Sequence, residues 1–117
     1  MKLSNNFTLQ EMCASAKADA KSIENVPDME QVINLQKLCV RPLQPLRDSY
    51  GEAFFINSGF RNPELNETVG GVPTSQHLTG QAADVRAREP RKLLAKLLDT
   101  EPDFDQAILY PTFLHLS

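Results

Sequence analysis

The residues best suited to chemistry lie in the run from Ser75 to Asp84. His77 and Asp84 stand seven residues apart there, on either side of Gly80. The chain has only two histidines, and the second, His115, lies far along the sequence in an apolar run. Two imidazoles and one carboxylate are the usual protein ligands of an open zinc site, which leaves the fourth position to water. These three residues therefore predict a metal site that suits Zn²⁺.

Each of these three residues also has a structural explanation when it is considered alone. His77 would then be a surface-loop histidine, His115 a hydrogen-bonded core histidine between two leucines, and Asp84 an aspartate at a strand end. A metal site accounts for all three at once, provided that Gly80 lets the backbone turn tightly between His77 and Asp84. We therefore expect the three side chains to meet in the folded chain.

Arg61 is a further residue whose type and position suggest chemistry. It follows a strand-like run in the sequence Ser58-Gly59-Phe60-Arg61 and precedes the long segment that leads to His77. A guanidinium fork at this place can clamp a carboxylate, or stabilise an oxyanion as negative charge develops. A surface salt bridge is the structural alternative. The position beside the metal-site segment favours a role in binding or catalysis.

The elements that must position these residues are helices first and strands later. The predicted strands are the runs 53–58, 81–87, 104–109 and 113–117. The predicted helices are a capped segment from Thr8 to about Lys17 (with a connection over 18–26), an amphipathic segment from Asp28 to Ser49, a short helix over 63–68 and a leucine-rich helix that begins at Glu89. Pro42 and Pro45 predict a kink or a broken last section in the long helix, because each removes a backbone donor. This order predicts an α+β fold, and we expect a single domain over 1–117.

Composition limits the classes of partner that the chain can have. Hydrophobic residues make up 41% of the 117 residues and charged residues 23%, which is ordinary for a soluble globular domain. The net charge of −3 argues against binding to nucleic acid or to an anionic membrane. The sequence contains no apolar run of the roughly 20 residues that cross a bilayer. Its N-terminus lacks the apolar core of a signal peptide, so we expect synthesis in the cytoplasm.

The sequence as a whole resembles the zinc D,D-peptidases of bacteria and their phages, the D-alanyl-D-alanine carboxypeptidase-like family. The most specific part of the resemblance is Ser75-Gln76-His77 with Gly80 and Asp84. Less specific support comes from the segments 7–9, 43–47, 58–63, 66–71, 104–106 and 113–117. The resemblance covers nearly the whole chain.

This resemblance implies a fold, a metal and a substrate. The fold is a small α+β structure with a central antiparallel sheet packed against N-terminal helices, shared with the hedgehog signalling domain. The metal is zinc held by His77, Asp84 and His115, and the substrate is the stem peptide of peptidoglycan, often cut next to D-alanine. Arg61 matches the family arginine that contacts substrate or the developing oxyanion. Ser75 lies where the family keeps a polar side chain near the substrate.

The family pattern does not supply the proton carrier of such a reaction. A zinc peptidase needs a base that takes a proton from the attacking water and delivers one to the leaving amine. Better-known relatives place a glutamate three residues before the last histidine, or a histidine two residues before it, where this chain has Thr112 and Phe113. Neither side chain can serve. The candidates are Asp105 and, after it, Asp103, and a purely structural role is the alternative for Asp105.

Two functions from different classes follow from these observations. The first is a zinc peptidase that hydrolyses cell-wall peptides by attack of metal-activated water. A role in phage or prophage lysis would suit it, because a companion pore can release an unexported enzyme to the wall. The second is a non-catalytic zinc-containing module that binds wall peptides or a protein partner, as in the hedgehog branch. We favour the first, with a peptidoglycan stem peptide as the partner.

Overall fold

The computed structural model describes residues 1–100 and 102–117. Its N-terminal part is helical and contains α1 (Leu9–Cys13), α2 (Ala16–Ala20), α3 (Met29–Leu38), a π-helical segment (Cys39–Leu43) and α4 (Gln44–Tyr50). Its C-terminal part contains β1 (Phe55–Ser58), α5 (Pro63–Thr68), a 3-10 helix (Gln76–Thr79), β2 (Ala83–Arg86), α6 (Pro90–Thr100), β3 (Ala107–Leu109) and β4 (Leu114–Leu116). The predicted α+β class is confirmed.

The four strands form one antiparallel sheet in the order β1–β2–β4–β3. Asp84 of β2 lies opposite His115 of β4 on one side and opposite Ser58 of β1 on the other. β1 reaches this register through an irregularity between Ile56 and Ser58. Because successive side chains of a strand point to opposite faces, Asp84 and His115 share one face of the sheet.

The helices cover the other face of the sheet, which is apolar. The core joins strand residues to helix residues, all of them fully buried: Ala83, Val85, Leu114 and Leu116 from the sheet, and Leu35, Leu43, Leu46, Leu93 and Leu97 from the helices. Burial of one leucine side chain stabilises the fold by roughly 1.5–3 kcal/mol. Packing of this shared core therefore fixes which face of the sheet remains open for Asp84 and His115.

The long predicted helix changes type where its prolines fall. It begins behind Asp28, whose side chain forms a capping box with Gln31. Pro42 lies in the π-helical segment, at whose end the backbone N–H of Gln44 donates to the carbonyl of Cys39. This wider turn accommodates proline, which has no N–H to donate. The predicted kink is thus a local π-helical turn between α3 and α4.

The first helix is shorter than predicted. Thr8 caps α1 as expected, and its hydroxyl accepts from the backbone N–H of Glu11 at 3.2 Å. However, α1 ends at Cys13 rather than near Lys17. The hydroxyl of Ser15 accepts from the backbone N–H of Ala18 and so begins a separate helix, which makes the first part of the predicted connection helical. A second capping side chain inside the helical pattern explains the difference.

The strands lie inside the predicted runs but are shorter than those runs. The largest difference is in β3, which begins at Ala107 rather than at Phe104. The backbone N–H groups of Asp105 and Gln106 both donate to the carbonyl of Ser117, at 2.6 and 3.2 Å. Two donors on one acceptor interrupt the regular ladder, so the segment before Ala107 is irregular.

In the part of the chain that the structure describes, no helix combines the length and the hydrophobicity needed to cross a membrane.

Candidate metal centre

His77, Asp84 and His115 come together on the open face of the sheet. Their potential ligand atoms all lie within 4.8 Å of one another. The Oδ1 atom of Asp84 lies 3.4 Å from Nε2 of His77 and 2.9 Å from Nδ1 of His115. In a tetrahedral zinc site with bonds of about 2.0–2.2 Å, neighbouring ligand atoms lie roughly 3.3–3.6 Å apart. The first distance matches this spacing, the second is slightly shorter, and the donor set of two imidazoles and a carboxylate suits Zn²⁺.

The ring of His77 is oriented by the backbone of the segment after β1. The side chain is buried, and its Nδ1 lies 2.7 Å from the carbonyl oxygen of Gly59. A carbonyl can only accept, so Nδ1 carries the proton and Nε2 keeps its lone pair for a metal ion. The carbonyl of His77 accepts from the backbone N–H of Arg61 at 3.1 Å. The histidine is therefore presented to the site in the tautomer that ligation requires.

The segment that carries His77 is a 3-10 helix rather than the predicted loop. Ser75 caps it, with its hydroxyl accepting from the backbone N–H of His77 at 3.2 Å. Gly80 ends it with a φ of 76°. A Cβ at that position would lie 2.6 Å from the carbonyl oxygen of Gln31 in α3. Gly80 therefore supplies the predicted tight turn and also lets α3 approach the site.

The carboxyl group of Asp84 is anionic at the centre of this cluster. Burial raises the pKa of Asp84, but the two imidazole rings beside its carboxyl group, those of His115 and His77, outweigh it. The net effect holds the pKa of this carboxyl well below its usual range. Asp84 is therefore in the protonation state that binds a metal ion.

Arg61 is tied to the cluster by three side-chain contacts. Its Nε donates to the hydroxyl of Ser58 and its Nη1 to Oδ1 of Asn66, both at 3.0 Å. Its Nη2 lies 3.6 Å from Oδ2 of Asp84, in a pair whose side chains are only 14% and 15% exposed. Burial lowers the pKa of Arg61, and the charge of Asp84 partly offsets this. An arginine has five N–H donors, so donors remain to bind a substrate.

Asn66 is a site residue for which the sequence alone predicts no role. It is buried in α5, where its Oδ1 accepts from Arg61 and its Nδ2 donates to the carbonyl of Val72 at 2.9 Å. It therefore links the arginine to the loop that leads to the 3-10 helix. The sequence feature that could have indicated this role is the position of Asn66 inside a predicted helix. Asparagine is unfavourable there unless its side chain has a hydrogen-bond partner.

Asp105 lies beside the metal centre rather than within it. It is exposed, and its Oδ2 lies 3.4 Å from Nε2 of Gln76, the residue before His77. Asp105 and Gln76 line a groove of about 440 Å³ together with Ser117, which follows His115 by two residues. The groove thus adjoins the cluster along the chain, and its carboxylate remains a candidate proton carrier.

Replacing Gly59 by alanine tests the close packing of the backbone whose carbonyl group binds His77. A Cβ at Gly59 would overlap the carbonyl oxygen of Met12, which accepts from the backbone N–H of Phe60 at 2.8 Å. We expect Gly59→Ala to lower the free energy of unfolding by about 2–3 kcal/mol, as overpacking against backbone does. Chemical denaturation measures this, with the exposed neighbour Asn57→Ala as control, for which a change within about 0.5 kcal/mol is expected. Equal stability of the two variants would show that Gly59 tolerates a side chain.

A search of curated proteins finds no match for the chain. The family model described as Peptidase M15 matches residues 5–117. Peptidases of this family depend on zinc, which agrees with the donor set of the cluster. Because the match extends over nearly the whole sequence, the chain belongs to the peptidase M15 family of zinc metallopeptidases.

Proposed function

We propose that the chain is a zinc-dependent peptidase that hydrolyses peptidoglycan stem peptides, in the manner of a D-alanyl-D-alanine carboxypeptidase. Family membership supports the zinc peptidase chemistry. The observation that carries the proposal is the meeting of His77, Asp84 and His115 within 4.8 Å of one another, with Arg61 held against Asp84. The resemblance of segments 58–63 and 75–84 to D,D-peptidases supports the cell-wall substrate. Such a substrate would place the site of action at the cell wall.

Three residues of the chain would hold the zinc ion: His77 through Nε2, Asp84 through Oδ1 and His115 through Nδ1. When bound, zinc supplies a Lewis acid and lowers the pKa of its water to about 7. The Nδ1–H of His77 is kept on the carbonyl of Gly59, so the ring cannot rotate without losing this hydrogen bond. The protein thereby fixes the direction of the ligand before substrate binds.

Arg61 is suited to bind the carbonyl oxygen of the bond that is cleaved. Ser58 and Asn66 hold its guanidinium in one orientation, and the pair with Asp84 places it beside the metal ligands. Positive charge fixed in advance stabilises the negative charge that develops on the carbonyl oxygen in the transition state. We therefore assign Arg61 to substrate binding and to stabilisation of the oxyanion.

Ser75 and Asp105 complete the proposed set. The hydroxyl of Ser75 accepts from the backbone of His77, so its own proton is available for donation to a substrate carbonyl. The carboxylate of Asp105 is exposed at the groove beside Gln76, where it can exchange protons with solvent and with the leaving amine of a peptide bound there. We assign Ser75 to substrate binding and Asp105 to proton transfer.

A second candidate function is a non-catalytic zinc module that binds wall peptides or a protein partner. The observation in its favour is the pair of residues where better-known relatives have their base. Thr112 is exposed in the turn between β3 and β4, and the ring of Phe113 stacks on that of Tyr110 with centres 4.6 Å apart. Neither side chain can carry a proton in the reaction.

One experiment separates the two candidates. Purified zinc-loaded protein is incubated with a synthetic stem pentapeptide and with purified peptidoglycan, and released D-alanine and peptide fragments are quantified. Release that a chelator abolishes and added zinc restores supports the peptidase, and Asp105→Asn should then lower the turnover rate. Saturable peptide binding without turnover, unchanged in Asp105→Asn, supports the binding module. Absence of both turnover and binding would contradict both candidates.

A further inference from the structure

A row of exposed and half-buried aromatic and cationic side chains borders the metal centre on the same face of the sheet. Arg86 follows Asp84 by two residues in β2, so the two side chains point to the same face, about 7 Å apart along the strand. Phe55 of β1 lies opposite Arg86, and the guanidinium carbon of Arg86 lies 5.7 Å from the centre of the Phe55 ring. Arg86 is exposed, and Phe55 is 56% exposed.

The row continues over the other two strands. Phe113 precedes His115 by two residues and shares its face, and continuing the register of β2 with β4 by one position beyond the pair Val85 and Leu114 places Phe113 opposite Arg86. The backbone N–H of Tyr110 donates to the carbonyl of Phe113 at 2.9 Å, and the two rings are stacked with an angle of 13° between their planes. Tyr110 is 41% exposed. We call Phe55, Arg86, Phe113 and Tyr110 the aromatic–arginine row.

The environment of Arg86 leaves it ready to bind an anion. Within residues 1–100 and 102–117, Arg86 makes no salt bridge, although the chain has 15 acidic residues against 12 basic ones. The guanidinium carbon lies over the Phe55 ring, a contact that favours one orientation of the group, and the N–H edges of the group take part in no salt bridge of the described residues. Those edges form the planar fork that matches a carboxylate.

We infer that Arg86 binds a carboxylate of the substrate at a residue away from the cleaved bond, and that the aromatic members of the row support the adjoining peptide. This inference rests on the proposed function. An extended peptide advances about 3.3–3.6 Å per residue, so a ligand that starts at the metal centre reaches Arg86 about two residues later. In a peptidoglycan stem cut before its terminal D-alanine, the isoglutamyl residue lies at this distance and keeps a free α-carboxylate. Arg86 therefore distinguishes stem peptides with a free carboxylate at that residue from stem peptides in which the carboxylate is an amide.

The test uses two synthetic stem peptides that differ in one group. One has the free α-carboxylate at its isoglutamyl residue, and the other has a primary amide there. Binding of the two tetrapeptides to zinc-loaded protein is measured by calorimetry, and turnover of the two pentapeptides gives kcat and KM. We expect the wild type to bind the carboxylate form about tenfold more tightly, as a charge-assisted hydrogen bond at an exposed position allows. The difference should appear in KM rather than in kcat.

Variants of Arg86 and Phe55 test whether Arg86 is the source of this preference for the carboxylate form. Arg86→Gln should bind both tetrapeptides equally, and Arg86→Lys should keep only part of the preference, because an ammonium group lacks the planar fork. Phe55→Leu should reduce the preference by a factor of about two to five, the contribution of an exposed cation–π contact. Lys17→Gln is the control, since Lys17 is an exposed cation of α2 and should leave the preference unchanged.

The outcomes separate this inference from the proposed function. A wild type that binds both tetrapeptides equally, or that binds neither, overturns the role of Arg86. So does an Arg86→Gln variant that keeps the preference while its thermal unfolding matches the wild type. Absence of pentapeptide turnover contradicts the peptidase proposal, but a carboxylate preference that depends on Arg86 would still be measurable by calorimetry.

Discussion

Replacing Asp84 by asparagine is expected to abolish peptidase activity and to weaken zinc binding by more than about 100-fold. Loss of a residue that only hydrogen-bonds to a metal ligand weakens metal binding by up to roughly 100-fold, and Asp84 is itself a proposed ligand. The reason is that one oxygen, Oδ1, lies within 3.4 Å of a nitrogen of each histidine, so this carboxylate is common to the whole cluster. A neutral amide is a weaker zinc ligand, and it also leaves Arg61 without its ionic partner. Competition with a fluorescent zinc chelator measures the affinity, and D-alanine release measures the activity.

Asp99→Asn is the matched control for this substitution, because Asp99 is an exposed aspartate of α6. We expect this control to keep wild-type zinc affinity and activity, since surface substitutions of this kind rarely change stability by more than about 0.5 kcal/mol. An Asp84→Asn protein that binds zinc as tightly as the control would show that the metal is held elsewhere.

Replacing Arg61 by alanine is expected to lower kcat by about 100- to 1000-fold, the usual cost of losing one donor to a developing oxyanion. Zinc content should stay unchanged, because Arg61 is not among the three ligand residues. Some loss of stability should accompany the change, since Oδ1 of the buried Asn66 loses its donor and an unsatisfied buried acceptor costs about 1–3 kcal/mol. Steady-state kinetics on the pentapeptide, with zinc analysis of the same sample, separates these effects.

Two further variants make the test of Arg61 specific. Arg61→Lys keeps the charge but cannot reach Ser58, Asn66 and Asp84 with one planar group, so most of the loss should remain. Lys17→Ala, an exposed substitution in α2, should leave kcat unchanged. If kcat of Arg61→Ala falls by less than about threefold, Arg61 does not stabilise the oxyanion, because loss of such a donor should lower kcat far more.

The part of the site that the sequence predicts depends on residue types that are scarce in this chain. With only two histidines, the number of ways to build an imidazole and carboxylate cluster is small, and the alternation of β2 and β4 then places Asp84 and His115 on one face. Gly80 was predictable in the same way, because a tight turn between His77 and Asp84 requires a residue that tolerates positive φ.

The part that sequence does not predict depends on contacts between distant segments. The hydrogen bond from His77 to Gly59 joins residues 18 positions apart, and it exists only in the folded arrangement of β1 and the 3-10 helix. The contact of Asn66 with Arg61 likewise depends on how α5 packs. The π-helical turn at Pro42 and the new helix at Ser15 are local, but each results from two signals that compete within a few residues.

The chemical role of Asp105 also depends on a contact that the sequence does not predict. Sequence gives a carboxylate before the last strands, and the register of β3 with β4 then places it next to Gln76 instead of against the ligand residues. Which proton this carboxylate carries therefore depends on where a bound peptide lies in the adjoining groove. Kinetics of Asp105→Asn address that question more directly than any pattern of residues.

Elemental analysis of the purified wild-type protein beside its His77→Ala variant tests whether His77, Asp84 and His115 hold a zinc ion. His77 is the least exposed of the three proposed ligand residues, and its tautomer leaves Nε2 for the ion. We expect zinc nearly equimolar with the chain in the wild type and close to none in a folded His77→Ala protein, with circular dichroism to establish folding. Equal zinc content in the two proteins would contradict it.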